Sequence, residues 1–339
     1  MKVVTFGEIM LRLAPMGNLK FLQSDNYEAT FGGGEANVAV SLANYGIDVC
    51  FVSKLPTHEI GQCAFNALRN YGVDTSYIVR GGERVGIYYL EKGASQRASK
   101  VIYDRNNSAI ATANVEDFDW DTIFEGVDCF HFTGITPAIS KALANITLLA
   151  LKKAKEKGIM VTCDLNYRKK LWSCKEAQET MKILCQYVDV CIANEEDAAD
   201  VFDIHASQTD ITSGEINRDG YIEVAKKLQE QFHFSCVAIT LRESISASNN
   251  RWSAMLYKNE QAYFSKKYDL HIVDRVGGGD SFAGGLIYSL LHHYNEQETI
   301  EFAVAASALK HSIQGDFNLV SVEEIKTLCA GDGSGRVQR

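Results

Sequence analysis

The chain has 339 residues, 46% of them apolar and 23% charged, with a net charge of −9. That is enough for a large core and excludes a disordered or fibrous chain. The acidic balance argues against a nucleic-acid or membrane-surface partner, and no apolar run reaches the about 18 residues of a membrane span.

The first residues, Met1-Lys2-Val3-Val4-Thr5-Phe6-Gly7, read as a strand at 3–6 rather than a secretion signal, so a cytoplasmic location is expected. Residues 11–31 lack helical periodicity. Gly32-Gly33-Gly34 then opens a helix over 35–45, followed by a strand at 49–52 and a helix at 60–70. Two strand patterns, 85–90 and 99–103, flank the polar stretch Glu91-Lys92-Gly93-Ala94-Ser95. Further along, apolar runs at 129–132, 160–163, 188–192 and 237–241 alternate with helical patterns at 142–157, 175–186 and 221–231. Such alternation predicts βαβ units and a mainly parallel sheet flanked by helices, an α/β fold. The exceptions, about 11–31 and 84–105, predict a small side sheet acting as a lid. With three prolines and no flexible linker, one domain over 1–339 is expected. Residues 203–220 are expected to form a polar surface excursion and 331–336 a loose tail. The nine cysteines are scattered, without a Cys-x-x-Cys pair, and are expected to be reduced core residues.

The chemistry concentrates in Asp274-Arg275-Val276-Gly277-Gly278-Gly279-Asp280, which runs into a helical pattern. Glycines permit backbone angles closed to other residues, so the N–H groups of Gly277, Gly278 and Gly279 can converge on an anion at a helix N-terminus. Asp280, at the lip, is placed to accept a proton from a hydroxyl attacking a phosphate held there. The competing reading is a turn whose Asp only caps the helix. Neither the common phosphate loop nor a Gly-x-Gly-x-x-Gly after the first strand is present. A second cluster, Gly32-Gly33-Gly34, would let a polar ligand approach the backbone, with Asn37 one turn on.

The pairing and order of Gly32-Gly33-x-x-x-Asn37 and Asp274-x-x-Gly-x-Gly-Asp280 resemble the ribokinase-like carbohydrate kinases. Gly7-Glu8-Ile9-Met10-Leu11-Arg12-Leu13, His131-Phe132-Thr133-Gly134 and Asp164-Leu165-Asn166-Tyr167-Arg168 are similar to the subgroup that phosphorylates 2-keto-3-deoxygluconate. The resemblance spans essentially the whole chain. It implies a three-layer αβα fold with a small β-sheet lid, ATP as donor, Mg²⁺, often a monovalent cation such as K⁺, and the substrate's 6-hydroxyl as acceptor. It also implies that Gly33, Asn37, Tyr88, Tyr103, Arg105, Arg168, Asp280 and Asp316 meet the acid sugar. For ATP it implies Asn166, Arg168, Asn194, Thr240, Arg242, Ser244, Ser246, Gly277 and Gly279. Asn194 and Asp197, in Asn194-Glu195-Glu196-Asp197, would order Mg²⁺ indirectly, although the same run is also a good helix start. Asp274 would organise the turn and a monovalent cation. On a strand, Tyr103 and Arg105 would face one side, with Tyr88 on the paired strand. Arg242 and Ile245 stand where many members have glycine. Such lids often pair between subunits, so a homo-oligomer is expected. The competing functions are another sugar kinase of the same fold, fructokinase-like or acting on a different keto-deoxy acid, and a non-catalytic sugar-binding regulator.

Overall fold

The computed structural model describes residues 1–194, 196–206, 218–331 and 333. Most of the expected excursion at 203–220 and of the tail at 331–336, together with Glu195, lies outside the described residues.

In chain order the elements begin with β1 (Lys2–Phe6), β2 (Met10–Pro15), β3 (Tyr27–Gly32), α1 (Gly34–Asn44), β4 (Asp48–Leu55), α2 (Glu59–Arg69), β5 (Ile78–Arg80), β6 (Ile87–Glu91) and β7 (Lys100–Asp104). There follow α3 (Trp120–Ile123), β8 (Cys129–Thr133), α4 (Ile135–Ile139), α5 (Lys141–Glu156), β9 (Met160–Asp164), α6 (Cys174–Leu184), β10 (Val190–Ala193) and α7 (Asp197–Phe202). The last third holds α8 (Arg218–Phe232), β11 (Cys236–Ser244), β12 (Asn249–Lys258), β13 (Gln261–Phe264), β14 (Tyr268–His271), α9 (Gly278–Leu291), α10 (Glu296–Lys310) and α11 (Val322–Cys329).

Successive residues of a strand point to opposite faces, and here both faces are covered. Val4 and Phe6 of β1 pack into one core with Leu143 and Ile146 of α5 and Met181 of α6. Val3 packs into the other, with Val38 of α1, Phe282 of α9 and Ala303 of α10. A sheet buried on both sides favours apolar residues on both faces of its strands, which is why these strands appear in the sequence as near-continuous apolar runs, interrupted by buried polar residues such as Thr5, His131 and Thr162. The strand order is β13-β12-β11-β10-β9-β8-β1-β4-β5, with β14 also paired to β12. From β11 to β5 the pairs are parallel; β12 returns antiparallel along β11, and β13 and β14 pair antiparallel with β12.

A separate four-stranded sheet, β3-β2-β6-β7, confirms the side sheet. Its strands occupy Met10–Pro15, Tyr27–Gly32, Ile87–Glu91 and Lys100–Asp104, and β2 and β6 pair in parallel across it. The antiparallel strands β12 to β14 were not expected. Of the cysteines, Cys50, Cys129, Cys163, Cys185, Cys191 and Cys236 are buried, whereas Cys63 and Cys174 are exposed and Cys329 is intermediate. The core expectation therefore holds for six of the nine. Among the described residues no helix is long and apolar enough to cross a membrane.

Candidate functional site

The carboxyl ends of β9, β10 and β11, the N-termini of α1 and α9, and the inner face of the small sheet enclose a cleft of about 410 Å³. Open α/β sheets place ligands at that edge. Two glycine-led helix starts meet there. Asp280 lies in the first turn of α9, partly open to the cleft, and accepts a hydrogen bond of 2.6 Å from Asn37 Nδ2 in α1. Asn37 is fixed in turn, because its Oδ1 accepts the Gly33 N–H at 3.2 Å. Burial raises the Asp280 pKa to about 6, against the opposing pull of the Asn37 bond and of Arg168.

The three glycines of the turn differ. Gly277 has φ of +82°, and a Cβ there would lie 2.1 Å from the Asp316 carbonyl oxygen. Gly278 packs so closely on the His311 ring that a Cβ would come within 2.6 Å, and its N–H turns back to the Arg275 carbonyl at 3.3 Å. Gly279 has nothing within 4 Å on its Cβ side. The expected three-glycine donor set therefore loses Gly278. The N–H groups of Gly277, Gly279 and Asp280 are left without an acceptor among the described residues, as the first turn of a helix leaves them.

Four aspartates at or behind the cleft fall into two pairs, Asp164, Asp280 and Asp316 lining it and Asp274 lying behind it. Asp274 and Asp316 are held by one guanidinium: Arg12, 2% exposed, donates to them at 2.6 and 2.7 Å. Sequence reasoning did not assign Arg12 a role. Asp316 also accepts a hydrogen bond from the Tyr88 hydroxyl. Asp316, which lines the cleft as expected of a sugar-contacting acid, is at the same time the buried partner of Arg12 and Tyr88. Asp274 further accepts the N–H groups of Val276 and Gly315, each at 3.2 Å, which accounts for its expected role in organising the turn.

The other pair, Asp164 and Asp280, has no ion-pair partner among the described residues. Asp164 takes one N–H, from Asn166 at 3.2 Å, and burial together with the charges of Asp197 and Asp280 pushes its pKa well up. Asn166 has φ of +37°, a left-handed conformation unusual for a side-chain-bearing residue and common where a binding site stores strain. Arg168, four residues past the end of β9, is exposed and lines the cleft.

Asn194 and Asp197 mostly hold each other. Asp197 accepts the N–H groups of Asn194 and Tyr167 at 2.9 and 3.1 Å, and Asn194 Oδ1 accepts those of Glu196 and Asp197 at 2.8 and 3.0 Å. The helix-start reading describes these contacts: each Asp197 carboxylate oxygen accepts one N–H and the Asn194 amide oxygen accepts two, so both side chains are held by backbone. Among the described residues no cluster of three or more His, Cys, Asp or Glu forms a ready-made metal site. Mg²⁺ commonly keeps several waters and uses one or two carboxylates plus substrate phosphates. The underused Asp164 carboxylate in the cleft fits that mode.

On the small sheet, Tyr88 and Tyr103 are direct cross-strand partners, with ring centroids 6.1 Å apart. Arg105, just past β7, lies with its guanidinium carbon 5.7 Å from the Tyr103 ring centre and is ion-paired with Glu8. All three face the cleft, as does Gly33. Gly33 is extended, with φ of 175°, and its lack of a side chain matters because a Cβ would lie 1.9 Å from the Glu8 carbonyl oxygen.

For the expected nucleotide loop the outcome is mixed. Thr240 and Arg242 line the cleft, but Ser244 and Ser246 do not. The physical reason is β12: it pairs with β11 as far as Ser244 opposite Asn250, turning the expected loop into a hairpin. Ser246 Oγ is spent within that turn, accepting the N–H groups of Ser248 and Asn249.

The model of the pfkB family of carbohydrate kinases matches residues 1–318. The crystal structure of 2-dehydro-3-deoxygluconokinase from Thermotoga maritima is 53% identical, covers 98% of this chain and 100% of that one, and superposes with a TM-score of 0.95. A pfkB family carbohydrate kinase from Listeria grayi is 33% identical, with 97% and 100% covered and a TM-score of 0.91. The 2-dehydro-3-deoxygalactonokinase of Haloferax volcanii is 30% identical over 334 residues, 98% of each chain.

Proposed function

The chain belongs to the pfkB family of carbohydrate kinases, and we propose that within it this chain transfers the γ-phosphoryl group of ATP to the 6-hydroxyl of 2-keto-3-deoxygluconate. The observation that carries this reading is Asp280 held by Asn37 at the meeting of two helix N-termini. A carboxylate with a pKa near 6 is largely ionised at neutral pH and still basic enough to take a proton from an attacking hydroxyl. Asn37 fixes the carboxylate's direction while leaving one oxygen for the substrate. The N–H groups of Gly277, Gly279 and Asp280, at the positive end of α9, stabilise charge on the transferring oxygens. Arg168 reaches the same space as a cation that can bridge sugar and phosphate. Mg²⁺ entering with ATP would be held beside Asp164, with Asn194 and Asp197 ordering the loop behind it, and would neutralise phosphate charge.

The acid-sugar assignment is supported by Tyr103 and Arg105, which offer hydroxyl and guanidinium donors to a carboxylate and a 2-keto group, beside Tyr88, whose proton is given to Asp316 and whose oxygen is left to accept from a sugar hydroxyl. Glu8 orients Arg105 and Asp316 orients Tyr88. The name carried by the Thermotoga maritima relative points the same way. The small sheet serves as the lid that excludes water from the phosphoryl group. Its exposed β3 and β7 residues, such as Ile102 at 54%, suit pairing with a second copy in a homo-oligomer.

A coupled assay of ATP consumption over a sugar panel tests the assignment. It includes 2-keto-3-deoxygluconate, its C4 epimer 2-keto-3-deoxygalactonate, fructose and ribose. The expected result is kcat/KM highest for the first acid sugar and much lower for the two sugars without a carboxylate. Preference for fructose or ribose would refute the acid-sugar pocket. The epimer is included because the Haloferax volcanii relative is named for it.

A further inference from the structure

One buried cation has no part in the mechanism above. Lys310 ends α10 at 0% exposure, and its ammonium faces three backbone carbonyls: Gly315 at 2.7 Å, and Asp274 and Ile313 at 3.3 Å. An ammonium has three N–H bonds, and each meets one carbonyl. The cage lies directly beneath the phosphate turn. The Lys310 Cε is 3.4 Å from where a Cβ of Gly277 would stand, and the same Gly277 packs on the Asp316 carbonyl. Lys310 therefore ties the loop 313–316 to the start of the turn at Asp274.

A ring of backbone carbonyls at a loop junction is the environment that a bare monovalent cation takes, its oxygens replacing the hydration shell. Here the expected K⁺ does not fit. The Asp274 carboxylate is already committed to Arg12, Val276 and Gly315. The carbonyls that would complete a cation site are acceptors for Lys310. An ammonium is close to K⁺ in size and charge, so it can meet the same mechanical and electrostatic need.

We propose that the Lys310 ammonium stands in for a monovalent cation beneath the Gly277 turn, positioning the anion hole and supplying fixed positive charge behind it, so that this enzyme needs no K⁺. Lys310 is a positioning residue. Its field reaches the base, since its charge favours ionisation of Asp280. The groups facing it are Asp274, Asp316 and Asp280, which favour its charge, and Arg12 and His311, of which the arginine opposes it. Burial lowers the Lys310 pKa to about 8, with Asp274 and Asp316 opposing, so it stays charged at neutral pH.

The proposal rests on the kinase reading, and the test separates the two. Wild-type protein is assayed with ATP, Mg²⁺ and the acid sugar in KCl, NaCl or tetramethylammonium chloride at equal ionic strength. Turnover equal within about twofold in all three supports the proposal, and a requirement for K⁺ overturns it while leaving the kinase intact. No turnover in any salt means that the kinase reading itself has failed. Lys310→Ala should slow turnover at least about tenfold in tetramethylammonium. It should regain much of the loss with added K⁺ or methylammonium, which can enter the vacated cage. A slow variant that neither cation rescues would show a purely structural role, and a variant as fast as wild type would show none; either sinks the proposal. Should Lys310→Ala melt below the assay temperature, the wild-type salt comparison decides alone.

Discussion

The two glycine clusters of this chain look alike in sequence and differ in physics. At the N-terminus of α1 the glycines serve packing: Gly33 is extended, and its missing side chain lets the Glu8 carbonyl come close, while a Cβ on Gly32 would enter the Asp316 carboxyl group. At the N-terminus of α9, Gly277 supplies a left-handed turn and Gly279 leaves open space over bare N–H groups. The first cluster positions a side chain, Asn37, and the second presents a backbone. The lesson is that a run of glycines becomes an anion site only where the backbone turns and the space above it is empty.

The contrast breaks most sharply at the residue where the clusters meet. Asp280→Asn should lower kcat by about 10²–10⁴. Its melting temperature should be unchanged or higher at pH 7, because a buried carboxyl whose folded pKa of about 6 exceeds its unfolded value contributes stability only at low pH. That contribution is lost as pH rises from about 4 through about 6. Near-wild-type turnover would remove Asp280 from the chemistry.

Within α9 the glycines should then separate. Gly277→Ala forces a side chain into φ of +82° and against the Asp316 carbonyl, so a stability loss of about 2–4 kcal/mol with loss of turnover is expected by denaturant titration and assay. Gly279→Ala should melt like wild type and raise the KM for ATP, because its methyl occupies ligand space rather than protein space. Equal melting temperatures for the two variants would erase the distinction. In α1, Gly33→Ala should cost about 1–3 kcal/mol of stability and weaken sugar binding more than ATP binding.

The smallest effect is on pH dependence. In wild type kcat/KM should rise with pH through about 6 as Asp280 ionises. Since the Asn37 bond favours the ionised form, Asn37→Ala should move that limb to higher pH. A limb that stays in place would mean another group controls it.

Local pattern carried the strands of the parallel sheet apart from the short edge strand β5, the two helix starts and the Gly277–Asp280 turn, because each is encoded by neighbours in sequence. It could not show that Arg12 neutralises Asp274 and Asp316, or that Lys310 is caged by carbonyls, since those partners meet only in the folded chain. A charged residue in an apolar strand pattern, Leu11-Arg12-Leu13, was the one available hint that a buried ion pair awaited it. Ser244 and Ser246 stand away from the cleft lining for the converse reason. A residue run that suits a loop became a strand because β12 offered it a hydrogen-bonded partner.

Arg12 also has a temporal consequence. Its two carboxylate partners stand 262 and 304 residues further along the chain, so during synthesis the small sheet's β2 must wait for nearly the whole polypeptide before its charge is answered. Closing contacts between such distant residues carries a large loop-closure cost and slows folding. A nascent or truncated chain ending before Asp316 would leave this guanidinium short of a partner it has when folded. The joint beneath the reacting groups thus needs nearly the whole chain, so a polypeptide that ends before Asp316 cannot assemble the site that would consume ATP.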